Sequence, residues 1–276
     1  MTEQALTLKC EGSELLAIMH RPDSEKDIHM GVVIVVGGAQ YRVGSHRMFV
    51  SLARALAAGG CTVLRFDRRG MGDSGGKDLG FDDCDEDIRS AVAALQAEVV
   101  GLEKVFLMGL CDGATAAVNC HFIDRSVSGY LLINPWIRSP QTEARVLVSH
   151  YYKNRFTDRA FWRDLFAGKV KFIHSIKDYF FHWRNRRSQR LVLPTLQTEL
   201  FYRLQRADRP MLFALSEQDI TGQEFLAVSR TEPWCSWLKS NQAELVQFTE
   251  ADHTFSAGDS LKQLSDACYD WLVKQA

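Results

Sequence analysis

Three side chains in this 276-residue chain have the types and order of a nucleophilic relay: Cys111, Asp219 and His253. Cys111 is the centre of Gly109-Leu110-Cys111-Asp112-Gly113, a GxCxG pattern. An apolar run from Val105 to Met108 precedes it, and small helix-spaced residues follow at once, with Ala114, Ala116, Ala117 and Val118. Strand, sharp turn, helix exposes the apex side chain above a sheet, and the glycines two before and two after leave room for a backbone that would otherwise clash. The start of the following helix brings unpaired N–H groups and a positive dipole end near the sulfur, which favours thiolate. Alone, GxCxG is a weak pattern, because a cysteine ending a buried strand is more often an inert small hydrophobe. A working thiolate needs a base in reach, and the base needs a partner that fixes its tautomer and stabilises the imidazolium. Asp219 follows the apolar run that ends at Leu215, and His253 follows the one that ends at Phe248. Glu217 and Asp252 are rival acids, but Asp252 is next to His253 in sequence and would have difficulty bending back to its ring.

The elements that must position these residues alternate. Ala5 to Cys10 and Leu15 to His20 flank the turn Glu11-Gly12-Ser13 and read as an opening hairpin. Gly31 to Val36 is a continuous β-branched run, the mark of a strand buried on both faces, and it ends in Gly37-Gly38. After a loop from Ala39 to His46, Phe49, Val50, Leu52, Ala53 and Leu56 repeat at helical spacing until Gly59-Gly60. Cys61 to Phe66 is the next strand, followed by a glycine-punctuated loop, Asp67 to Ser74. A helix with Ile88, Ala91, Val92, Leu95 and Val99 on one stripe then leads to the strand before Cys111. Gly129 to Ile133, Pro210 to Leu215 and Glu244 to Phe248 are further strands, and a helix with Leu261, Leu264, Cys268, Trp271 and Leu272 on one face closes the chain. Such alternation predicts an α/β class chain with a mostly parallel, doubly wound sheet and ligand sites at the carboxyl ends of strands.

Between Trp136 and Arg209 the alternation stops and the charge changes. That segment carries 16 Lys and Arg against 6 Asp and Glu, whereas the rest of the chain carries 17 against 28. The expected division is a core of residues 1–135 and 210–276 with a basic, aromatic, helical insertion over 136–209, for example Ala160 to Phe166 and Phe172 to Trp183. Hydrophobic residues make up 46% and charged residues 24%, as in soluble globular proteins. No apolar run approaches the roughly 18 residues that span a bilayer, and the first residues lack the apolar core of a signal peptide, so a cytoplasmic protein is expected. Seven cysteines, never spaced as CxxC, argue against a disulfide framework and against a zinc site. No groove-reading motif accompanies the basic segment, which excludes nucleic acid as the expected partner.

With the elbow, the post-strand acid and the late histidine in this order, the chain resembles the α/β-hydrolases over nearly its whole length. Asp67 to Ser74, DRRGMGDS, is similar to the DxRGxGxS segment of many members, and Gly37-Gly38 stands where they place the oxyanion loop. The resemblance implies an α/β-hydrolase fold with the insertion as a helical cap, and a Cys111, Asp219, His253 triad. It also implies an oxyanion hole made from the backbone N–H of Asp112 and one from Gly38, Ala39 or Gln40. Cysteine departs from the usual serine and is shared with dienelactone-hydrolase-like enzymes. The expected reaction is cleavage of a small-molecule carboxylic ester or thioester through a Cys111 acyl-enzyme, with no cofactor and no metal. Alternatives are acyl transfer by the same triad and a catalytically idle interaction module of an export system. A narrower likeness, of Gly37 to Arg47 together with Gly109 to Asp112, is to the exosortase A system-associated hydrolases of type 1, found with bacterial exopolysaccharide and protein-sorting loci. Arg42 and His46, near the expected site, are candidates for substrate binding, against an ordinary loop salt bridge for Arg42. The run Tyr179 to Arg187 would let the cap touch an anionic lipid surface or an anionic substrate, against the plainer reading of a lid with packed aromatics and solvated charges.

Overall fold

The protein is described here by a computed structural model covering residues 1–119, 126–137, 195–239 and 243–276. Among these residues eight strands form one sheet: β1 (Thr2–Cys10), β2 (Ser13–Arg21), β3 (Met30–Val35), β4 (Thr62–Phe66), β5 (Lys104–Leu110), β6 (Val127–Ile133), β7 (Met211–Ser216) and β8 (Ala243–Phe248). Their spatial order is β1-β2-β4-β3-β5-β6-β7-β8. The β1–β2 hairpin and the β2–β4 pair are antiparallel, and every later neighbour is parallel. From β3 the chain steps outward to β4 and then returns past β3 to β5. The winding therefore reverses between β3 and β5, and a crevice opens there at the carboxyl ends of the strands.

Among the described residues seven α-helices accompany the sheet: α1 (Met48–Ala58), α2 (Asp85–Glu98), α3 (Asp112–Asn119), α4 (Thr195–Ala207), α5 (Ile220–Ser229), α6 (Trp234–Leu238) and α7 (Ser260–Lys274). Side chains of a strand alternate between faces, so a run without polar interruptions needs cover on both sides. β3 is the plainest case. Val33 and Val35 join the core that packs under α2, α3, α5 and α6, while Val32 and Ile34 join the one formed with α1 and α7. Aromatic rings tie the second half of the sheet to its helices: Phe213 stacks on Phe225 at 4.9 Å, and Phe106 meets Trp271 edge-on at 5.7 Å.

The expected hairpin, the buried strands and the helices before and after them lie within a few residues of their predicted places. Three helices, α4, α5 and α6, differ from the reading. The chain divides into a unit of Met1–Ile137 with Glu199–Ala276 and a second unit of Arg138–Thr198, so the core takes more of the 136–209 segment than its charge suggested. Leu200, Phe201, Leu204 and Ala207 are buried at helical spacing on one side of α4, whereas Arg203 stands on another and pairs with Glu199. Basic surface charge had hidden a core helix. The helical segments expected over 160–166 and 172–183 lie outside the described residues. Helix α5 was not anticipated because its buried side includes Thr221, Gly222 and Glu224 beside Phe225 and Val228, which blurs the apolar stripe. All described cysteines are free thiols.

Candidate active site

Cys111 sits between β5 and α3 with φ of 60°, in the left-handed region that a residue with a side chain enters at a cost. Its backbone is held there from both sides. The Cys111 N–H donates to the Ile133 carbonyl at 2.9 Å, and the Cys111 carbonyl accepts from Ala114 N–H and Trp136 N–H, each at 3.1 Å. The flanking glycines are obligatory. A methyl group on Gly113 would lie 2.5 Å from the Val35 carbonyl oxygen and 2.7 Å from the Gly37 amide nitrogen, and one on Gly109 would lie 2.5 Å from Ala114 N. These obstacles are backbone atoms and cannot swing away. Gly113→Ala is accordingly expected to destabilise the fold by about 2–4 kcal/mol, read as a lower midpoint in urea with unchanged slope.

The other two predicted residues converge on this turn. Asp219, buried after β7, caps the start of α5: its Oδ2 accepts from Gly222 N–H at 3.0 Å. The same oxygen lies 2.9 Å from His253 Nδ1. The Cys111 side chain also acts on the His253 ring; with Nδ1 turned to Asp219, Nε2 is the ring nitrogen left to meet it. The Asp219 carboxylate, then the Cys111 sulfur, push the imidazole pKa up to about 10 against the opposing effect of burial, so the ring is an imidazolium at neutral pH. Asp252, the rival acid, is used up locally. Its Oδ1 accepts from Thr254 N–H at 3.1 Å and Ser256 N–H at 2.9 Å, which folds the loop that carries His253.

Two more residues steady that loop. Asn134, at the end of β6, is fully buried with φ of 43°. Its amide donates to Ser216 Oγ at 2.9 Å and to the His253 carbonyl at 3.3 Å, and its oxygen accepts from Ser216 N–H at 2.8 Å. His46 lies at the exposed edge, with Nε2 2.7 Å from the Thr254 carbonyl. That contact occupies the one ring nitrogen and makes His46 a tie to the His253 loop.

Among the three predicted partners for the Asp112 N–H, the structure discriminates. Gly38 N–H already donates to Asp112 Oδ1 at 2.6 Å and is thus not available to a substrate. Ala39 and Gln40 N–H take no hydrogen-bond partner among the described residues. Arg42 is likewise engaged. Its guanidinium forms ion pairs with Asp67 and, at 2.8 Å, with Asp73, and its backbone N–H donates to Asp67 Oδ1 at 2.6 Å. This is the loop salt bridge weighed from sequence, with both carboxylates supplied by the DRRGMGDS segment. No cluster of three or more His, Cys, Asp or Glu suited to a metal ion occurs among the described residues.

The sequence signature of the alpha/beta hydrolase family matches residues 32–267. The chain belongs to that family. Its fold is the alpha/beta hydrolase fold, with Cys111 at the turn after β5 and Asp219 and His253 after β7 and β8. Solved structures of similar architecture include the esterase Est1E from Butyrivibrio proteoclasticus with ferulic acid bound, at a TM-score of 0.65 and 14% identity over 98% of this chain and 99% of that one. The Pyrococcus furiosus esterase Pf2001 aligns at 0.63 and 16% over 99% and 92%. An alpha-beta serine hydrolase homologue from Coxiella burnetii aligns at 0.63 and 16% over 99% and 98%. At such identities the likeness speaks for the fold. No curated protein matches the sequence. The places of Cys111, Asp219 and His253 just past their strands were legible in the sequence, whereas the contacts of Asn134, Asp67 and Asp252 were not.

Proposed function

We propose that this alpha/beta hydrolase cleaves a small carboxylic ester or thioester through an acyl intermediate on Cys111, with His253 and Asp219 as its proton relay. The observation that carries this reading is the 2.9 Å contact from Asp219 Oδ2 to His253 Nδ1, with Cys111, held at φ of 60° on the turn, acting on the same ring. The reacting form in this reading is the Cys111 thiolate paired with the His253 imidazolium. The sulfur attacks the acyl carbon, the carbonyl electron pair moves to oxygen, and Asp112 N–H with Ala39 or Gln40 N–H stabilises the oxyanion. Collapse breaks the bond to the leaving group, which takes the His253 proton and departs as an alcohol or thiol. Acylation removes the negative sulfur that helps to hold the proton on His253, so the imidazole pKa falls and the ring becomes a base. It then takes a proton from water as the oxygen attacks the S-acyl carbon. Collapse expels the Cys111 thiolate, returns the carboxylic acid and leaves the imidazolium as at the start.

A thiolate is itself a good leaving group, which suits this site to activated acyl groups rather than amides. The likeness of Gly37 to Arg47 and Gly109 to Asp112 to exosortase A system-associated hydrolases supports a place for the reaction beside bacterial exopolysaccharide and protein-sorting systems. The test is a rapid-mixing assay with a panel of p-nitrophenyl esters and acyl-CoAs. A burst of p-nitrophenol equal to the enzyme concentration, followed by slower turnover, is expected. A chain that is folded yet releases no product from any member of the panel would overturn the assignment.

A further inference from the structure

The loop from Gly37 to Arg42 is fastened at both ends by carboxylates that the triad does not use. At its start, Gly38 N–H donates to Asp112 Oδ1 at 2.6 Å. The fit is close: a methyl group on Gly37 would collide with that same oxygen and lie 2.5 Å from Gly113 N. At its end, Asp67 receives both the Arg42 N–H, at 2.6 Å, and the Arg42 guanidinium, while Arg65 donates from Nη1 to the Arg42 carbonyl at 2.7 Å. Asp67 and Arg65 are 1% and 3% exposed, so this anchor is part of the core rather than of the surface. Asp67 Oδ2 also accepts from Asp73 N–H at 3.0 Å, and Arg65 Nε donates to the buried His20 Nε2 at 2.9 Å. In the middle of the loop the N–H groups of Ala39 and Gln40 take no hydrogen-bond partner among the described residues.

We propose that Asp112 and Asp67 are positioning residues that hold the oxyanion loop at its two ends, so that its central N–H is set against the Asp112 N–H before substrate arrives. This rests on the acyl-transfer reading above. The physical case is that an oxyanion donor is worth most when it is already in place, since a loop that must reorganise in the transition state forfeits much of the electrostatic gain. Asp112 links the two halves of the hole directly. Its backbone N–H is one donor, and its side chain grips the peptide just ahead of the other. The charge itself is not what is needed at Asp112; an acceptor oxygen at that position is. At Asp67 the charge is needed as well, because it holds the Arg42 guanidinium in a buried setting where an unpaired ion is costly.

The experiment separates acylation from thiolate reactivity. Alkylation of Cys111 by iodoacetamide needs the thiolate and the imidazolium but no oxyanion donor, whereas acylation by a p-nitrophenyl ester needs all three. Asp112→Ala is expected to slow the acylation burst on the order of 10²-fold, the cost of one lost donor, with KM and the alkylation rate each within about twofold of wild type. Asp112→Asn keeps an acceptor oxygen and is expected to recover at least about tenfold of that loss. Asp67→Asn, which preserves shape while removing the charge, is expected to slow acylation about tenfold with alkylation unaltered. Acylation at the wild-type rate in both Asp112→Ala and Asp67→Asn would overturn the proposal. So would a parallel loss of acylation and alkylation, which marks general disruption, or a failure of Asn to restore what Ala removed. A wild-type protein inert toward every ester would sink the acyl-transfer reading itself, an outcome distinct from any of these.

Discussion

Cys111→Ala is expected to lower kcat/KM for the best ester by on the order of 10⁴-fold or more, because no other group in the site can form the covalent intermediate. Cys111→Ser is the more instructive variant. A serine hydroxyl must surrender its proton to a neutral imidazole as it attacks, and the His253 ring is held as an imidazolium with a pKa of about 10, chiefly by Asp219. The proposed relay thus suits a nucleophile that arrives already ionised. Serine in this setting is expected to lose about 10²- to 10³-fold in the acylation burst, even though its oxygen fits at the same turn. The measurement is the burst rate at pH 7. A serine variant as fast as wild type would mean that the ion pair plays no part, and that the site works as an ordinary serine hydrolase with a sulfur substituted.

Asp219→Asn is expected to cost about 10³- to 10⁴-fold in acylation, in line with the loss of the group that holds the imidazole tautomer and its charge. The pH dependence identifies the cause. Without the carboxylate the imidazolium gives up its proton near the ordinary histidine value of about 6.5 rather than near 10. The acylation rate of the variant relative to wild type should therefore fall as pH rises from about 6.5 toward 10. Folding stability follows the same proton. In wild type the folded state holds it more tightly than the unfolded chain, so the His253 contribution is fully present below about pH 6.5 and is lost as pH climbs through about 10. Urea midpoints of wild type and Asp219→Asn should differ most below pH 6.5 and converge at high pH. A constant gap would place the effect in packing around α5 rather than in the charge on His253.

How far the sequence could be read depended on whether a residue's partner was visible along the chain. Val32 to Val35 announced a central strand because apolar side chains pack on either face whatever lies opposite. Cys111, Asp219 and His253 were legible because each stands just past such a strand, and a parallel sheet brings strand ends to one edge. Asn134 was not, because its importance lies in an amide that spans from β6 to Ser216 and the His253 carbonyl, and nothing local marks those partners. Asp112 shows the same limit within one motif. Its backbone was predicted from its place after the nucleophile, while its side chain, aimed at Gly38, depends on how two loops 74 residues apart approach. Helix α4 misled through composition, since arginines on one side spoke for an insertion while Leu200, Phe201 and Leu204 on the other belong to the core.

The central claim, that Cys111 carries the acyl group, is tested most directly by intact-protein mass spectrometry after millisecond exposure to short and medium acyl p-nitrophenyl esters and acyl-CoAs, comparing wild type with Cys111→Ala. The account predicts a transient increase of one acyl mass, mapped to Cys111, absent from the variant and decaying at the rate of turnover. Turnover without any adduct, or the same adduct on the Cys111→Ala protein, would contradict it.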